Sequence, residues 1–240
     1  VLCFADRPTK RNATVCSRYT LTSPSEAVRD LFGLPDSEDF PPRYNIAPAQ
    51  PVAIVRHDAR RQRELQLVQW GLIPSWLKDP RVFKPLINAR SETVAEKPSF
   101  RGAMRHRRCL IPATGYYEWT GRRGAKQPHL IRLKGQELFA MAGLWEAWLG
   151  ADGSEIETMA VLTTAANGDV AAIHDRMPVI LDRRDYERWL DCSAGSTMGI
   201  GDLLRPLPEG CVSVTAVNPK LNHPDAEGPD LHLPAIPTLL

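Results

Sequence analysis

Short strand-like segments separated by turn residues constrain the fold of this chain more than any other feature. Each segment is rich in β-branched or aromatic residues and is bounded by Gly, Pro or Asp, which is typical of a mainly antiparallel sheet or barrel. The segments are "VAIVR" (52–56), "LQLVQWGLI" (65–73), "CLIPA" (109–113), "YYEW" (116–119), "HLIRL" (129–133), "LFAMAGLW" (138–145), "TMAVLTT" (158–164) and "CVSVTAV" (211–217). Helical patterns are few, at 24–32, 98–106, 168–173 and 183–191. The pattern predicts one α+β domain with a barrel-like β core and a few flanking helices.

Length and composition are compatible with this architecture. The chain has 240 residues, of which 43% are hydrophobic and 24% are charged, as in ordinary globular domains. No apolar run reaches the roughly 18 residues that a membrane helix needs, and the first residues lack the apolar core of a secretory signal. Five cysteines without metal-ligand spacing favour reduced thiols in the cytoplasm. The six histidines also lack ligand spacing, so we expect no metal and no cofactor.

The net charge of +2 does not by itself indicate a nucleic-acid partner. Two local basic clusters exist, "RGAMRHRR" (101–108) and "GRRGAK" (121–126). Such runs are also common on solvated faces. A DNA-binding surface would therefore have to come from local clustering.

Two segments before the main β region predict local structure. Ser23 can cap a helix over 24–32, with Pro24 at its first position and Gly33 at its end. The proline-rich segment "DFPPRYNIAPAQP" (39–51) predicts an ordered loop, because proline fixes φ and lacks an N–H donor.

Polar residues interrupt several apolar segments. Glu118 lies between aromatic residues in "ATGYYEWT", where partial burial would raise its pKa and suit it to acid–base chemistry. His174 lies in "AAIHDRMPVIL", and Asn88 and Arg90 lie in "PLINARSET". Each has a simpler structural explanation. Glu118 could lie on the outward face of a strand, and His174 could be a hydrogen-bonded polar group. Asn88 could cap a turn, and Arg90 could form a structural ion pair.

Two further segments allow two interpretations each. Cys16, in "NATVCSRYTL", is on its own most simply a buried thiol. The tryptophans of "LVQWGLIPSW" (67–76) form either a platform for a stacked base or part of the core.

Taken together and in order, these segments resemble the SOS-response-associated peptidase (SRAP) family, whose proteins process abasic sites in single-stranded DNA. The resemblance extends from Cys16 to about Pro229. The ordered set is specific, whereas "NAR" or "HDR" alone would mean nothing. The matching segments are "VCSRYTL", "RYNIAPAQ", "WGLIPSW", "INARSET", "CLIPATGYYEW", "LTTAAN" and "IHDRMPVIL".

The resemblance implies a lyase-type enzyme of the DNA damage response. Family members begin, after methionine removal, with a cysteine that carries an α-amine and a thiol. The amine would form a Schiff base with the aldehyde of the ring-opened sugar, and the thiol would close a thiazolidine that cross-links protein to DNA. An α-amino pKa of about 8 leaves a neutral fraction at physiological pH that a lysine, at about 10.4, lacks.

Roles follow position by position from the resemblance. Arginine contacts to phosphate should make binding salt-dependent and indifferent to sequence. The catalytic set is Cys16 as the nucleophile, Asn88 to orient the sugar or the cysteine backbone, Glu118 as the acid–base group and His174 to open the sugar and reverse the link. The DNA-binding set is Arg18 and Arg90 on phosphates, with Asn45, Pro48, Trp70 and Trp119 at the rim where nucleotides stack or kink.

Two features depart from the family pattern. Ser17 replaces the glycine that usually follows the cysteine, and fifteen residues precede Cys16. An acylated nitrogen cannot form a Schiff base. We therefore expect residues 1–15 to be a non-native or removed leader, either because translation starts at a GTG codon for Val15 or because the segment is cleaved. The SRAP-like domain is expected to span 16–230, with a flexible tail at 231–240.

Two other functions remain open at this point. One is a thiol peptidase in which Cys16 and His174 remove the chain's own leader. The other is a non-enzymatic module that binds single-stranded DNA through Trp70, Arg18 and Arg90. The free amine of Cys16 distinguishes the cross-linking enzyme from these alternatives. We expect that enzyme to be a cytoplasmic monomer that associates with the nucleoid when bound to DNA and does not associate with a membrane.

Overall fold

The computed structural model describes residues 16–35, 39–122, 124–193 and 197–235. The leader expected at 1–15 lies outside these residues. The strands are β1 (Tyr19–Leu21), β2 (Arg43–Ile46), β3 (Pro51–His57), β4 (Arg63–Trp70), β5 (Asn88–Arg90), β6 (Arg108–Ala113), β7 (Gly115–Arg122), β8 (Ala125–Leu133), β9 (Phe139–Leu149), β10 (Glu155–Ala165), β11 (Arg176–Pro178), β12 (Ile180–Leu181) and β13 (Val212–Ala216). The α-helices are α1 (Ser25–Phe32), α2 (Arg101–His106), α3 (Gly168–Ala171) and α4 (Tyr186–Leu190). Short 3-10 turns occupy Pro80–Val82, Arg183–Asp185, Gly201–Leu203, Pro219–Asn222 and Pro229–His232.

Five strands close into a barrel in the order β10-β4-β3-β6-β9, because β9 pairs back onto β10. Only the β4–β10 pair of this ring runs parallel. The interior holds fully buried side chains such as Ile54, Ile111 and Met159, each of which contributes about 1.5–3 kcal/mol by leaving water. The expected α+β domain with a barrel-like core is confirmed.

A second, antiparallel sheet follows the order β13-β8-β7-β1-β2. The chain passes from the barrel into this sheet at Thr114, between β6 and β7. Successive side chains of a strand point to opposite faces. Tyr116 on β7 therefore joins the main core together with Cys16, whereas Tyr117 joins a smaller cluster with Leu231.

Two short strands flank the end of β10. The strand β5 runs parallel to it and pairs Arg90 with Thr163, whereas β11 runs antiparallel and pairs Arg176 with Ala165. Segments separated by more than 80 residues in sequence, 88–90 and 174–176, are thereby fixed at one end of the barrel.

Two local expectations require correction. The helix α1 begins one residue later than predicted, with Pro24 at the N-cap and no side-chain cap, so Ser23 does not cap it; Gly33 does end it, in the left-handed conformation. Within the predicted loop at 39–51, residues Arg43–Ile46 form β2 and pair with β1. Tertiary pairing overrides the turn signal here, because the four prolines of that segment all lie outside the strand.

The tail expected to be flexible at 231–240 is ordered over 231–235. Leu231 is fully buried, and the N–H of Ala235 donates to the carbonyl of Ala216 at 2.9 Å. His232 Nε2 shares a hydrogen bond with the hydroxyl of Tyr117 at 2.7 Å. One buried leucine is enough to fix this segment despite its lack of sequence periodicity. Residues 236–240 lie outside the described part of the chain.

Within the described ranges, no helix is long and apolar enough to cross a membrane. Cys16, Cys109, Cys192 and Cys211 are free thiols in that same part of the chain.

Candidate active site

Cys16 and Glu118 form the centre of the candidate site. The backbone N–H of Cys16 donates to Glu118 Oε1 at 2.7 Å. Both residues are buried, with 3% and 2% of their surface exposed. The residues between Cys16 and β1 run beside β7, where the N–H of Tyr117 donates to the carbonyl of Arg18 at 3.1 Å. The sequence brings the two groups together because β1 and β7 pair directly.

Burial sets the protonation of Glu118. Removing the carboxylate from water raises the pKa of Glu118 from its ordinary value of about 4.5 to about 7. Hydrogen bonds from Cys16 oppose this shift, and the negative charge of Asp175 adds to it. A carboxyl group with this pKa can accept and release a proton near neutral pH, which is the property of a general acid–base group.

The thiol of Cys16 is held in its neutral form. Burial raises the pKa of Cys16 well above its ordinary value, the charge of Glu118 and a hydrogen bond to it raise the pKa further, and Arg176 lowers it. Cys16 also has a φ of 40°, in the left-handed region that non-glycine residues rarely adopt. The residue that follows, Ser17, is not among the residues with positive φ, so the backbone there does not require the family glycine.

The segment 174–176 lies within electrostatic reach of this centre, since Asp175 acts on Glu118 and Arg176 acts on Cys16. The side chain of His174 is nearly buried, and its Nδ1 accepts the N–H of Arg176 at 3.0 Å. The same Nδ1 also lies 3.0 Å from Asp175 Oδ1.

Arg176 fixes the end of β10. Its guanidinium makes a bidentate contact with Glu92, at 2.7 and 2.9 Å, and donates to the carbonyl of Thr163 at 2.6 Å. Its buried Nε–H has no hydrogen-bond partner among the described residues. Arg176 therefore supports the segment that carries His174 and adds positive charge beside Cys16.

Asn88 and Arg90 lie on β5 at this same end of the barrel. Asn88 is partly buried, whereas Arg90 is exposed. They pair with Val161 and Thr163 of β10, so both lie beside the strand that Arg176 also contacts. Side chains two residues apart on a strand share a face.

A second cluster holds Arg18 beside Trp119. Arg18 Nη1 donates to Asn45 Oδ1 at 2.7 Å and to the carbonyl of Leu221 at 3.2 Å, and its guanidinium lies 5.9 Å from the centre of the Trp119 ring. The indole N–H of Trp119 donates to Asn222 Oδ1 at 2.8 Å. The arrangement places a cation beside an aromatic ring of β7, the strand that carries Glu118.

The family description "SOS response associated peptidase (SRAP)" matches residues 15–224. This chain belongs to the SRAP family. It is 37% identical over 222 residues to the abasic site processing protein YoqW of Bacillus subtilis, which covers 90% of this chain and 98% of that protein. It is 33% identical over 198 residues to the abasic site processing protein HMCES of Gallus gallus, covering 70% of this chain and 59% of that protein.

Solved structures share the SRAP fold of this chain. A Bacteroides thetaiotaomicron protein superposes with a TM-score of 0.82 at 28% identity, covering 92% of this chain and 100% of that one. A Bordetella bronchiseptica protein gives a TM-score of 0.72 at 30% identity, covering 85% of this chain and 100% of that one.

Two of the predicted rim residues of this SRAP domain are buried. Trp70 is 1% exposed, donates its indole N–H to the carbonyl of Ile87 at 2.9 Å and packs edge-on against Tyr19. It is a core residue and offers no surface for a nucleotide. Asn45 is also 1% exposed and acts through Arg18, which it holds in place. Pro48 remains partly exposed, in the turn before β3.

The exposed tryptophan of "WGLIPSW" is Trp76, with 60% of its surface accessible. It lines a cavity of about 580 Å³, which we call the Trp76 groove. Among the described residues, no ion pair engages Arg101 or Arg105, whereas Arg107 pairs with Glu146 at 2.7 Å. The groove is lined by Ser75, Trp76, Pro98, Ser99, Arg101, Gly102, Arg105, His106, Arg107 and Glu146.

Sequence reasoning assigned no individual role to Arg176, Tyr116 or Trp76. Arg176 stood beside His174 in the motif but had no assigned role, and its contacts with Glu92 and Thr163 depend on tertiary pairing. Tyr116 resembles any core aromatic in sequence, although it precedes Glu118 by two residues and so shares its face of β7. Trp76 and Trp70 belong to the same sequence segment, and the difference in their exposure, which the sequence does not show, decides which of them can contact a nucleotide.

Proposed function

We propose that this protein binds abasic sites in single-stranded DNA and joins covalently to the ring-opened sugar through Cys16. The observation that carries the proposal is the 2.7 Å hydrogen bond between the nitrogen of Cys16 and a buried carboxyl group, Glu118. Support also comes from relatives of nearly equal length whose printed name is abasic site processing protein.

The reaction requires Cys16 to be the first residue, so the proposal includes a mature chain without residues 1–15. The neutral α-amine attacks the aldehyde carbon, and Glu118 in its protonated form assists the loss of the resulting hydroxyl as water. An imine remains. The thiol then adds across the C=N bond, sulfur to carbon and proton to nitrogen, which closes the thiazolidine without any oxidation or reduction.

Glu118 suits both proton transfers because of its raised pKa. A free α-ammonium in place of the amide would stabilise the carboxylate and lower the pKa of Glu118 from that value. Amine and carboxyl group would then exchange one proton over a short distance, which keeps a fraction of the amine neutral.

The remaining residues of the candidate site hold the DNA. Arg90 and Arg18 supply cations for the phosphates on either side of the lesion, and Trp119 offers an aromatic face beside Arg18. Asn88 orients the sugar, and His174 exchanges the proton that opens the ring. These roles agree with the family pattern at the matching positions.

The test uses a chain that begins at Cys16 and single-stranded DNA whose uracil has been removed by a glycosylase. The proposal predicts an adduct that survives a denaturing gel and that Cys16→Ala abolishes. DNA without the abasic site is the control. An adduct of equal yield with Cys16→Ala would contradict the proposal.

Autocatalytic removal of the leader is a second candidate, favoured by the same hydrogen bond. The nitrogen that would leave on cleavage of the Val15–Cys16 bond is the atom that contacts Glu118, and a carboxyl group with a pKa of about 7 can protonate it. A chain that starts at Val1 should then shorten without DNA. Intact mass measured over time checks this, and Cys16→Ala should prevent the shortening.

A further inference from the structure

The hydroxyl of Tyr116 is buried and has no hydrogen-bond partner in the described part of the chain. Tyr116 is 1% exposed, and its oxygen makes no hydrogen bond to any described residue. A buried hydroxyl without a partner carries a free-energy cost that Phe at the same position would avoid. Such a group requires an explanation, and a catalytic role is one of the known explanations.

The surroundings of this hydroxyl point to Cys16. Tyr116 lies two residues before Glu118 on β7, so both side chains project from one face. Cys16 and Tyr116 belong to the same core cluster. Beyond the effect of burial, Cys16 and Glu118 are the groups that raise the pKa of the Tyr116 phenol most, which places the phenol within electrostatic reach of the sulfur.

We propose that the Tyr116 hydroxyl is the hydrogen-bond donor that stabilises the Cys16 thiolate. In the resting site the thiol donates its proton to Glu118, so the phenol has nothing to bind. When that proton passes to the carboxylate, the sulfur becomes an anion, and the phenol O–H donates to it. A hydrogen bond to a charged acceptor is about twice as strong as one between neutral groups.

The inference deepens the proposed function, because ring closure needs a reactive sulfur, but it applies to the sulfur itself and needs no DNA. The chain offers a matched control in the neighbouring tyrosine. The hydroxyl of Tyr117 donates to the carbonyl of Tyr44 at 2.6 Å and contacts His232 at 2.7 Å, on the opposite face of β7. Tyr116→Phe removes a hydroxyl that makes no hydrogen bond to a described residue, whereas Tyr117→Phe removes a hydroxyl that makes hydrogen bonds within the fold.

Other ionisable groups also face the thiol and set the background of its titration. Glu118 shares the strand, and Arg176 lowers the thiol pKa. They are unchanged in both variants, so the comparison isolates the phenol. Among the described residues, Glu118, Asp169 and Arg176 act on Cys16 or Tyr116, and Asp175 and Lys126 act on Glu118.

The experiment measures alkylation of Cys16 by iodoacetamide as a function of pH in the full chain, read from the Cys16 peptide by mass spectrometry. Tyr116→Phe should shift the profile to higher pH and slow alkylation about 10-fold below the thiol pKa, with an unchanged plateau and a melting temperature at least as high as that of the wild type. Tyr117→Phe should lower the melting temperature and leave the profile in place.

An unshifted profile in Tyr116→Phe, or an equal shift in both variants, would overturn the inference. The outcome is independent of the proposed function. If the wild-type chain forms no adduct with abasic DNA and Tyr116→Phe still shifts the profile, the proposed function fails while the role of Tyr116 stands.

Discussion

At the scale of single residues, Glu118 determines what this site can do. Its carboxyl group is 2% exposed and contacts the nitrogen of Cys16. Burial without a paired cation is unfavourable for a carboxylate, and the fold tolerates it because the group can take up a proton instead. The same property that weakens the folded state at high pH gives the site an acid–base group at neutral pH.

The first prediction concerns stability against pH in a chain that retains residues 1–15. Because the folded-state pKa of Glu118 is raised to about 7, the folded state binds the proton more tightly than the unfolded state. The stabilisation is complete below pH 4.5 or so and is lost as pH rises toward 7, by about 3 kcal/mol. Glu118→Gln should not show this loss. Urea unfolding at pH 5 and pH 8 gives the free energy of unfolding of both proteins. An equal change between the two pH values in the wild type and in Glu118→Gln would contradict the raised pKa.

The second prediction concerns His174. Its nearly buried imidazole lies between Asp175 and the main chain of Arg176, and we propose that it exchanges the proton that opens the sugar ring. His174→Gln should slow the release of DNA from a preformed adduct by about 100-fold, within the range for loss of an acid–base group. Time courses of release in the presence of a reactive aldehyde trap check this. Release at the wild-type rate would remove His174 from the reaction.

At the scale of secondary-structure elements, the loop after β4 and the helix α2 form the Trp76 groove. An exposed aromatic ring beside two arginines that form no ion pair with a described residue suits a nucleotide outside the lesion, since bases stack on aromatic faces and phosphates bind guanidinium groups. The basic run "RGAMRHRR" thus has two different uses. Arg101 and Arg105 face the groove, whereas Arg108 is buried and donates to main-chain carbonyls.

The third prediction is therefore a loss of non-covalent DNA binding in Trp76→Ala. Stacking is worth about 1–3 kcal/mol per base, so binding of undamaged single-stranded DNA should weaken about 10-fold. The melting temperature should not change, because the side chain is 60% exposed. Leu67→Ala, at 62% exposure on β4, is the matched control. Fluorescence anisotropy measures both, and equal affinities would exclude the groove from the interface.

Local sequence patterns predicted most elements, and pairing between distant segments explains the rest. The eight strand segments and four helices could be predicted because each carries its own periodicity and turn residues. The strands β5 and β11 have three residues each and form only because β10 lies between them. The same distinction holds for the site residues. Sequence motifs identified Cys16 and Glu118, whereas the roles proposed for Tyr116 and Arg176 depend on their tertiary neighbours.

At the scale of the whole molecule, the C-terminal segment packs against the sheet that carries the site. The carbonyl of Leu221 accepts from Arg18, and the carboxylate of Glu227 accepts the N–H of Tyr44 at 2.9 Å. Burial and the charge of Arg132 lower the pKa of His232 to about 4, so its ring is neutral and bonded at physiological pH. This segment supports the side chains proposed to hold DNA.

The fourth prediction follows from the burial of Leu231. Leu231→Ala should lower the free energy of unfolding by about 2–4 kcal/mol, because it leaves a cavity in the smaller core cluster. Leu233→Ala, at 59% exposure, should have almost no effect. Denaturant titrations of both variants make the comparison, and an unaffected Leu231→Ala variant would indicate a loose tail.

The most direct test of the proposed chemistry compares adduct formation by chains that differ in their first residue. Two chains, one starting at Cys16 and one starting at Val1 with a verified intact mass, are incubated with the same abasic single-stranded DNA. The adduct is then digested and its mass measured at the Cys16 peptide. We predict an adduct only for the chain that starts at Cys16, with the mass of the sugar added and one water lost. An adduct at Cys16 of a chain that still carries its preceding residues would contradict the thiazolidine mechanism.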